Sequence, residues 1–327
     1  MKHFLFFSLL FSAGLLTKAQ PVKKIIVAQD GTGNYVTVQQ ALDAVPLNNR
    51  EPVEILIRKG TYKEKLQLDS SKNFVRMIGE DVNATILTYD DHTGKVARDG
   101  NIINTQTSQS FYIKADGFCA ENITFQNNAG MTAGQAVALR VEGDRAVFLN
   151  CRIVGFQDTL FTSAENSRQY YKGCYIEGST DFIFGASTVL FEECQIRSKK
   201  NSHITAAATP KEHAYGYVFK KCVLTADTGL SKVSLGRPWR PYASVTYMEC
   251  IIGAHILPQG WDNWKNPENE KTARYAEYKN TGAGANTSGR FTWTHQLTDE
   301  DVKQYTTQNI LRGWIPKQIH ADTNNSF

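Results

Sequence analysis

After its first sixteen residues the chain has no long apolar run, and it has no cluster of lysines and arginines and no CxxC or paired Cys/His spacing. The first absence leaves no later segment long enough to span a bilayer. The second removes the electrostatic footprint of a nucleic-acid-binding surface. The third argues against a metal centre built on cysteine, so none is expected. The glycine-rich stretch Gly282-Ala283-Gly284 is too short and too poorly placed to cradle a phosphate. Helical periodicity is scarce as well. Through most of the chain, short strand-like segments follow one another without an intervening helical pattern.

What is present begins with a leader. Met1-Lys2-His3 is followed by the apolar or small run Phe4 to Leu16 and by Thr17-Lys18-Ala19. A positive start, an apolar middle and a small-residue end form the pattern of a secretory signal over residues 1–19. A buried N-terminal helix is the alternative. No cysteine lies beside the expected cleavage point, so a lipid anchor is not indicated. The expectation is a secreted or periplasmic protein whose residues 20–327 form a single domain, a monomer with no membrane contact after signal removal. Losing Lys2 and Lys18 lowers the formal charge from +4 to +2. That balance permits an acidic substrate without requiring one.

The first elements are a strand at Lys24 to Ala28, a turn at Gly31 to Asn34 and a short helix from Thr37 to Val45, where Thr37 and Gln40 form a capping box and Pro46 ends the helix. Strands follow at Val53 to Arg58, Tyr62 to Leu68 and Phe74 to Gly79. From about residue 110 a repeat appears. Val147-Phe148-Leu149-Asn150-Cys151 matches Tyr170-Tyr171-Lys172-Gly173-Cys174, and similar segments end at Cys194, Cys222 and Cys250. In an earlier copy, Cys119 to Thr124, Asn122 takes the place of the later cysteines. The cysteines recur every 20 to 28 residues. Self-similarity at that period, in short strands, predicts an all-β fold: a single-stranded right-handed parallel β-helix. Five of the six cysteines would then form an inward column of free thiols, or else pair within it as disulfides. A helix from Thr298 to about Leu311 would pack on the solenoid.

The same repeat places the chemistry. Asp158 lies seven residues after Cys151, and Asp181 lies seven after Cys174. Equal offsets put the two on adjacent coils at one angular position, about 4.8 Å apart in backbone. On the next coil the same offset gives Asn201, leaving two carboxylates in the column. Two carboxylates that close cannot both ionise freely, so one should stay charged while the other keeps a proton. That is the pairing of a nucleophile with a general acid, although a structural Asp ladder is the alternative. Gln157 precedes Asp158, and Gln135 lies 22 residues earlier, about one coil back. Their amides could form an oxyanion hole or merely satisfy each other. In Leu235-Gly236-Arg237-Pro238-Trp239, an arginine held between glycine and Pro-Trp suits bidentate pairing with a carboxylate, or could simply lie at the surface.

Taken together, the motifs resemble the pectin methylesterase (pectinesterase) family. The matching segments are Gly60-Thr61-Tyr62-Lys63-Glu64, Gln135-Ala136-Val137-Ala138-Leu139-Arg140, Gly155-Phe156-Gln157-Asp158-Thr159-Leu160, Asp181-Phe182-Ile183-Phe184-Gly185 and Leu235-Gly236-Arg237-Pro238-Trp239, in order and at agreeing separations. The resemblance implies an esterase that removes methyl esters from galacturonate residues of pectin. It implies Asp181 as nucleophile, Asp158 as acid and base, Gln157 and Gln135 at the oxyanion, and Arg237 beside Asp181. Trp239 and Phe156 would line the sugar groove, and Thr105 would contact substrate, although Gln106 to Ser110 match the family poorly. No cofactor is implied. The other readings are a pectate lyase or polygalacturonase, which share the architecture, and a carbohydrate-binding solenoid.

Overall fold

Each cysteine of the repeat follows a residue in the left-handed backbone region, and that pairing makes one corner of the coil. The corner residues are Asn122, Asn150, Gly173, Glu193, Lys221, Glu249 and Lys279, with φ between 44° and 60°. Asparagine and glycine adopt this conformation most readily. Asn150 also donates its side-chain amide to Asn122 at 2.7 Å, so the corners brace one another from coil to coil.

These observations come from a computed structural model that describes residues 23–316. The leader expected at residues 1–19 lies outside them. Three parallel sheets of 11, 8 and 7 strands wrap one core as a parallel β-helix, each coil adding one strand to each face. Within a face, equivalent residues sit in register: Phe148 opposes Tyr171, which opposes Phe191, then Phe219 and Tyr247. Their rings stack with centroids 4.5 to 5.0 Å apart. The second face contributes the column Phe125, Ile153, Ile176, Ile196, Leu224 and Ile252. Together these columns form a continuous apolar interior.

All six cysteines are free and buried. The thiols of Cys174, Cys194, Cys222 and Cys250 point at backbone carbonyls of the preceding coil at 3.4 to 3.5 Å. Burial holds them well above the usual thiol range, which makes them structural rather than reactive. The earliest copy of the repeat is shifted by one residue from the sequence reading. Strand register sets Asn122 beside Asn150, so Ile123 takes the place of Cys151. Cys119 instead lies on the outer side of the long sheet, with Val147, Tyr170 and Leu190.

Both ends of the solenoid are covered. The helix Val38–Asp43, capped by the Thr37 hydroxyl, sends Val38, Ala41 and Leu42 into the first coil. The Glu64 carboxylate accepts from the amides of Val38 and Gln39, two of the donors that a helix leaves unpaired at its start. At the other end the buried Arg290–Glu277 pair, at 2.7 Å, ties the loop after the last long strand to the core. The tail is not one helix from Thr298 to Leu311. It breaks into a 3-10 turn at Asp301–Gln304 and a short helix at Thr307–Ile310. The break occurs because Thr306 is extended and its hydroxyl caps a new start by accepting from the Asn309 amide at 3.1 Å. Ile310 and Leu311 still bury against the outer side of the long sheet.

Candidate active site

The second positive-φ column leads to the chemistry. Asp158 (φ 63°) and Asp181 (φ 49°) occupy the turns that feed strands Leu160–Thr162 and Ile183–Gly185 of the seven-stranded face. Those strands pair Leu160 with Ile183, so the two aspartates sit directly over one another. Their amides continue the stack: Asp158 donates to Thr180 at 3.0 Å and Asp181 to His203 at 2.8 Å. Aspartate adopts this left-handed conformation more readily than most residues, and the same turn recurs on the two coils. The expected continuation to Asn201 does not occur. The coil after Cys194 carries two extra residues before its turn, so His203 follows Asp181 in the column.

Both carboxyls are buried, at 8% exposed for Asp158 and 6% for Asp181, yet their electrostatic surroundings differ. Arg237 donates from Nε to Asp181 Oδ1 at 2.9 Å and from Nη2 to Oδ2 at 2.7 Å. This two-point pairing is the geometry that arginine provides and lysine does not. The guanidinium also lies over the Trp264 ring, 3.7 Å from its centre. Asp158 receives no such donor. Burial, and then the charge of Asp181, push its carboxyl well above the usual carboxylate range, with Arg237 acting in the opposite direction. One carboxylate is therefore paired with a cation, while burial and that neighbouring charge favour the protonated form of the other.

Gln135 and Gln157 pair across adjacent coils, and the Ala136 amide donates to the Gln157 carbonyl at 3.1 Å. Both side chains open into a cavity of about 630 Å³ that also holds Asp158, Asp181 and Arg237. Its floor is apolar and aromatic. The rings of Phe161 and Phe184 stack at 4.3 Å, and Trp239 meets each of them edge-on. Thr105 also lines the cavity, with Asn104 and Gln106, in a 3-10 turn whose capping box joins Asn104 to Thr107. An acyl group on this floor would have a carboxylate, a carboxyl and two amides within one water-accessible cleft.

The structure brings together Asp181, Asp158, Gln157, Gln135, Arg237, Trp239 and Thr105. Phe156 is absent from the lining; its ring lies on the flank, 4.4 Å from the Lys199 ammonium. The floor residues Phe161, Phe184 and Trp264 were not singled out from the sequence. The first two could have been found by counting out from the Asp turns along each strand, since alternate residues face outward. Trp264 could not, because it comes from a loop beyond the repeat.

Comparison with known proteins finds relatives along nearly the whole chain. A sequence profile of the Pectinesterase family matches residues 24–314. Pectinesterase 31 of Arabidopsis thaliana is 40% identical over 311 residues, covering 92% of this chain and 98% of its own. Among solved structures, carrot pectin methylesterase is similar at a TM-score of 0.82 and 33% identity, over 90% of this chain and 95% of that one. A pectin methylesterase solved in complex with a hexasaccharide is similar at a TM-score of 0.81 and 28% identity, over 91% and 99% of the two chains.

Proposed function

The chain belongs to the pectinesterase family and is a carboxylic ester hydrolase acting as a pectin methylesterase, and from that premise we propose how its residues divide the work. The substrate is methyl-esterified homogalacturonan, and the products are pectate and methanol. Residues 20–327 act as the catalytic unit after residues 1–19 have directed export, to the cell exterior or a periplasm. The unit works as a monomer, without a cofactor, and takes no nucleic acid. Among the described residues no helix is long and apolar enough to cross a membrane.

Asp181 attacks the ester carbonyl carbon. Arg237 pairs with it and orients it through both carboxylate oxygens. As the carbonyl oxygen takes up negative charge, the amides of Gln157 and Gln135 donate to it. Both face the cavity free of other protein partners among the described residues, so they need not break a bond to do so. Asp158 then gives its proton to the departing methoxy oxygen. The resulting acyl-enzyme is an anhydride between the substrate carboxyl and Asp181. Asp158, now a carboxylate, takes a proton from water as the water attacks that anhydride. Hydrolysis frees the galacturonate and restores Asp181. The sugar rings pack on Trp239 and on the Phe161–Phe184 floor, with Thr105 also lining the cavity.

The observation that carries this reading is the asymmetry of the two aspartates: Arg237 grips one with two hydrogen bonds, and the other is buried beside it without such a donor, which favours its protonated form. The test is methanol release from highly methylated pectin, with and without a calcium chelator, while unsaturated products are followed by absorbance. Methanol insensitive to the chelator is expected. Unsaturated product that disappears with the chelator would assign a lyase instead.

A further inference from the structure

We propose that His203 is a positioning residue of this site, acting through Ser234 on the strand that carries Arg237, and that it must be uncharged to do so. The proposal rests on the esterase reading above and extends it to a residue outside the cavity.

Three observations place His203 there. It takes the next step in the column after Asp158 and Asp181, and its carbonyl accepts the Asp181 amide at 2.8 Å. The nucleophile's turn therefore sits on the His203 backbone. Its ring reaches the following coil, where Nδ1 lies 2.7 Å from Ser234 Oγ. Ser234 begins the strand Ser234–Pro238, three residues before Arg237, and that strand pairs His203 with Ser234 and Ala206 with Arg237. One residue thus joins the turn bearing Asp181, through its backbone carbonyl, to the strand bearing its partner, through its ring. A second link runs alongside, from the Thr180 hydroxyl to Ser202 Oγ at 2.9 Å.

Charge makes the link conditional. The charged groups acting on the ring are Asp181 from the coil before, Arg237 from the strand after, and Asp262 from the segment beyond it. Asp262 is fixed by its backbone amide, which donates to the Gly236 carbonyl at 3.1 Å, on the same strand as Arg237. Burial first, and then Arg237, hold His203 below the usual histidine range, so the ring is neutral at pH 7. An imidazolium in this position would put a second cation beside Arg237 and compete with it for the Asp181 carboxylate, drawing charge from the attacking oxygen. Protonating His203 would therefore lower turnover without touching the substrate.

The test uses three variants of the full chain and the pH dependence of methanol release. His203→Ala should lower kcat about threefold to tenfold at pH 7 with KM unchanged, because the tie to Ser234 is lost while the groove is intact. His203→Asn keeps a polar group facing Ser234 and should recover most of that loss. It should also remove a titration from the acid side of the kcat profile, so that the variant stays active to lower pH than the wild type. Acid limbs that superimpose in wild type and His203→Asn, or wild-type kcat in His203→Ala, would overturn the proposal. The third variant separates this inference from the esterase assignment. The His203 imidazole is titrated by NMR in wild type and in Arg237→Gln, a reading that needs no turnover. Its midpoint should rise when Arg237 is removed, and an unmoved midpoint would also overturn the proposal.

Discussion

Arg237 meets Asp181 with two parallel hydrogen bonds, of 2.9 and 2.7 Å, across two coils of the solenoid. The contact is possible because the Asp181 turn and the strand Ser234–Pro238 lie at the same edge of one face, separated by the strand His203–Ala207. A lysine could supply the charge there but not the two-point geometry. Arg237→Lys should therefore fold normally yet lose about 100-fold or more in kcat, with a smaller change in KM. Arg237→Ala should in addition lower stability by about 3–5 kcal/mol, since it leaves a buried carboxylate unpaired. Urea denaturation alongside the kinetics separates the two effects.

Asp158 should act on stability in the opposite sense. Its folded-state carboxyl is held above its unfolded value, so the folded protein binds the extra proton between those two values. Stability must fall as pH rises through that window, starting from the ordinary carboxylate range. Asp158→Asn removes the ionisation and with it this slope. The variant should have a higher Tm than wild type at neutral and alkaline pH, and the gap should close near pH 3, while methanol release collapses. Calorimetry across pH checks it; equal Tm values at every pH would contradict the assigned protonation.

The two glutamines are expected to matter only during turnover. Gln157→Leu and Gln135→Leu should each cost about 100- to 1,000-fold in kcat with little change in KM or Tm, as expected when an oxyanion donor is removed. Steady-state kinetics on methylated oligogalacturonides reads this directly. A change confined to KM would make them binding groups instead.

Far from the site, the aromatic ladder carries stability. Phe191 stacks between Tyr171 at 5.0 Å and Phe219 at 4.5 Å and is fully buried. Phe191→Ala should cost about 3–5 kcal/mol in chemical denaturation. At temperatures where the variant remains folded, its KM should match the wild-type value.

Much of this was legible because the coil has a marker. Each of the five cysteines from Cys151 to Cys250 follows a left-handed corner, so counting seven residues from Cys151 and Cys174 reached two aspartates that the strand pairing sets in register. The count failed where a coil changes length. The two extra residues before His203 lie in a turn, where no periodic pattern constrains spacing, so Asn201 was expected where His203 stands. Phe156 and Phe161 illustrate a second limit. Both are aromatic and both neighbour Asp158, but only the residue on the outward-facing step of the strand reaches the cavity. Trp264 comes from a loop whose position depends on packing against Arg237, and nothing local in the sequence encodes that. The tail showed its first cap at Thr298, but the second, at Thr306, became apparent only with the backbone geometry.

Asp181 as the attacking group is tested most directly by the initial rate of methanol release. Purified Asp181→Asn should match wild type in circular dichroism and bind methylated oligogalacturonide, while its rate falls by about 10,000-fold or more, as expected when a nucleophile is lost. A folded Asp181→Asn that kept more than about a tenth of the wild-type rate would contradict the account, because no loss that small fits removal of the group forming the covalent bond.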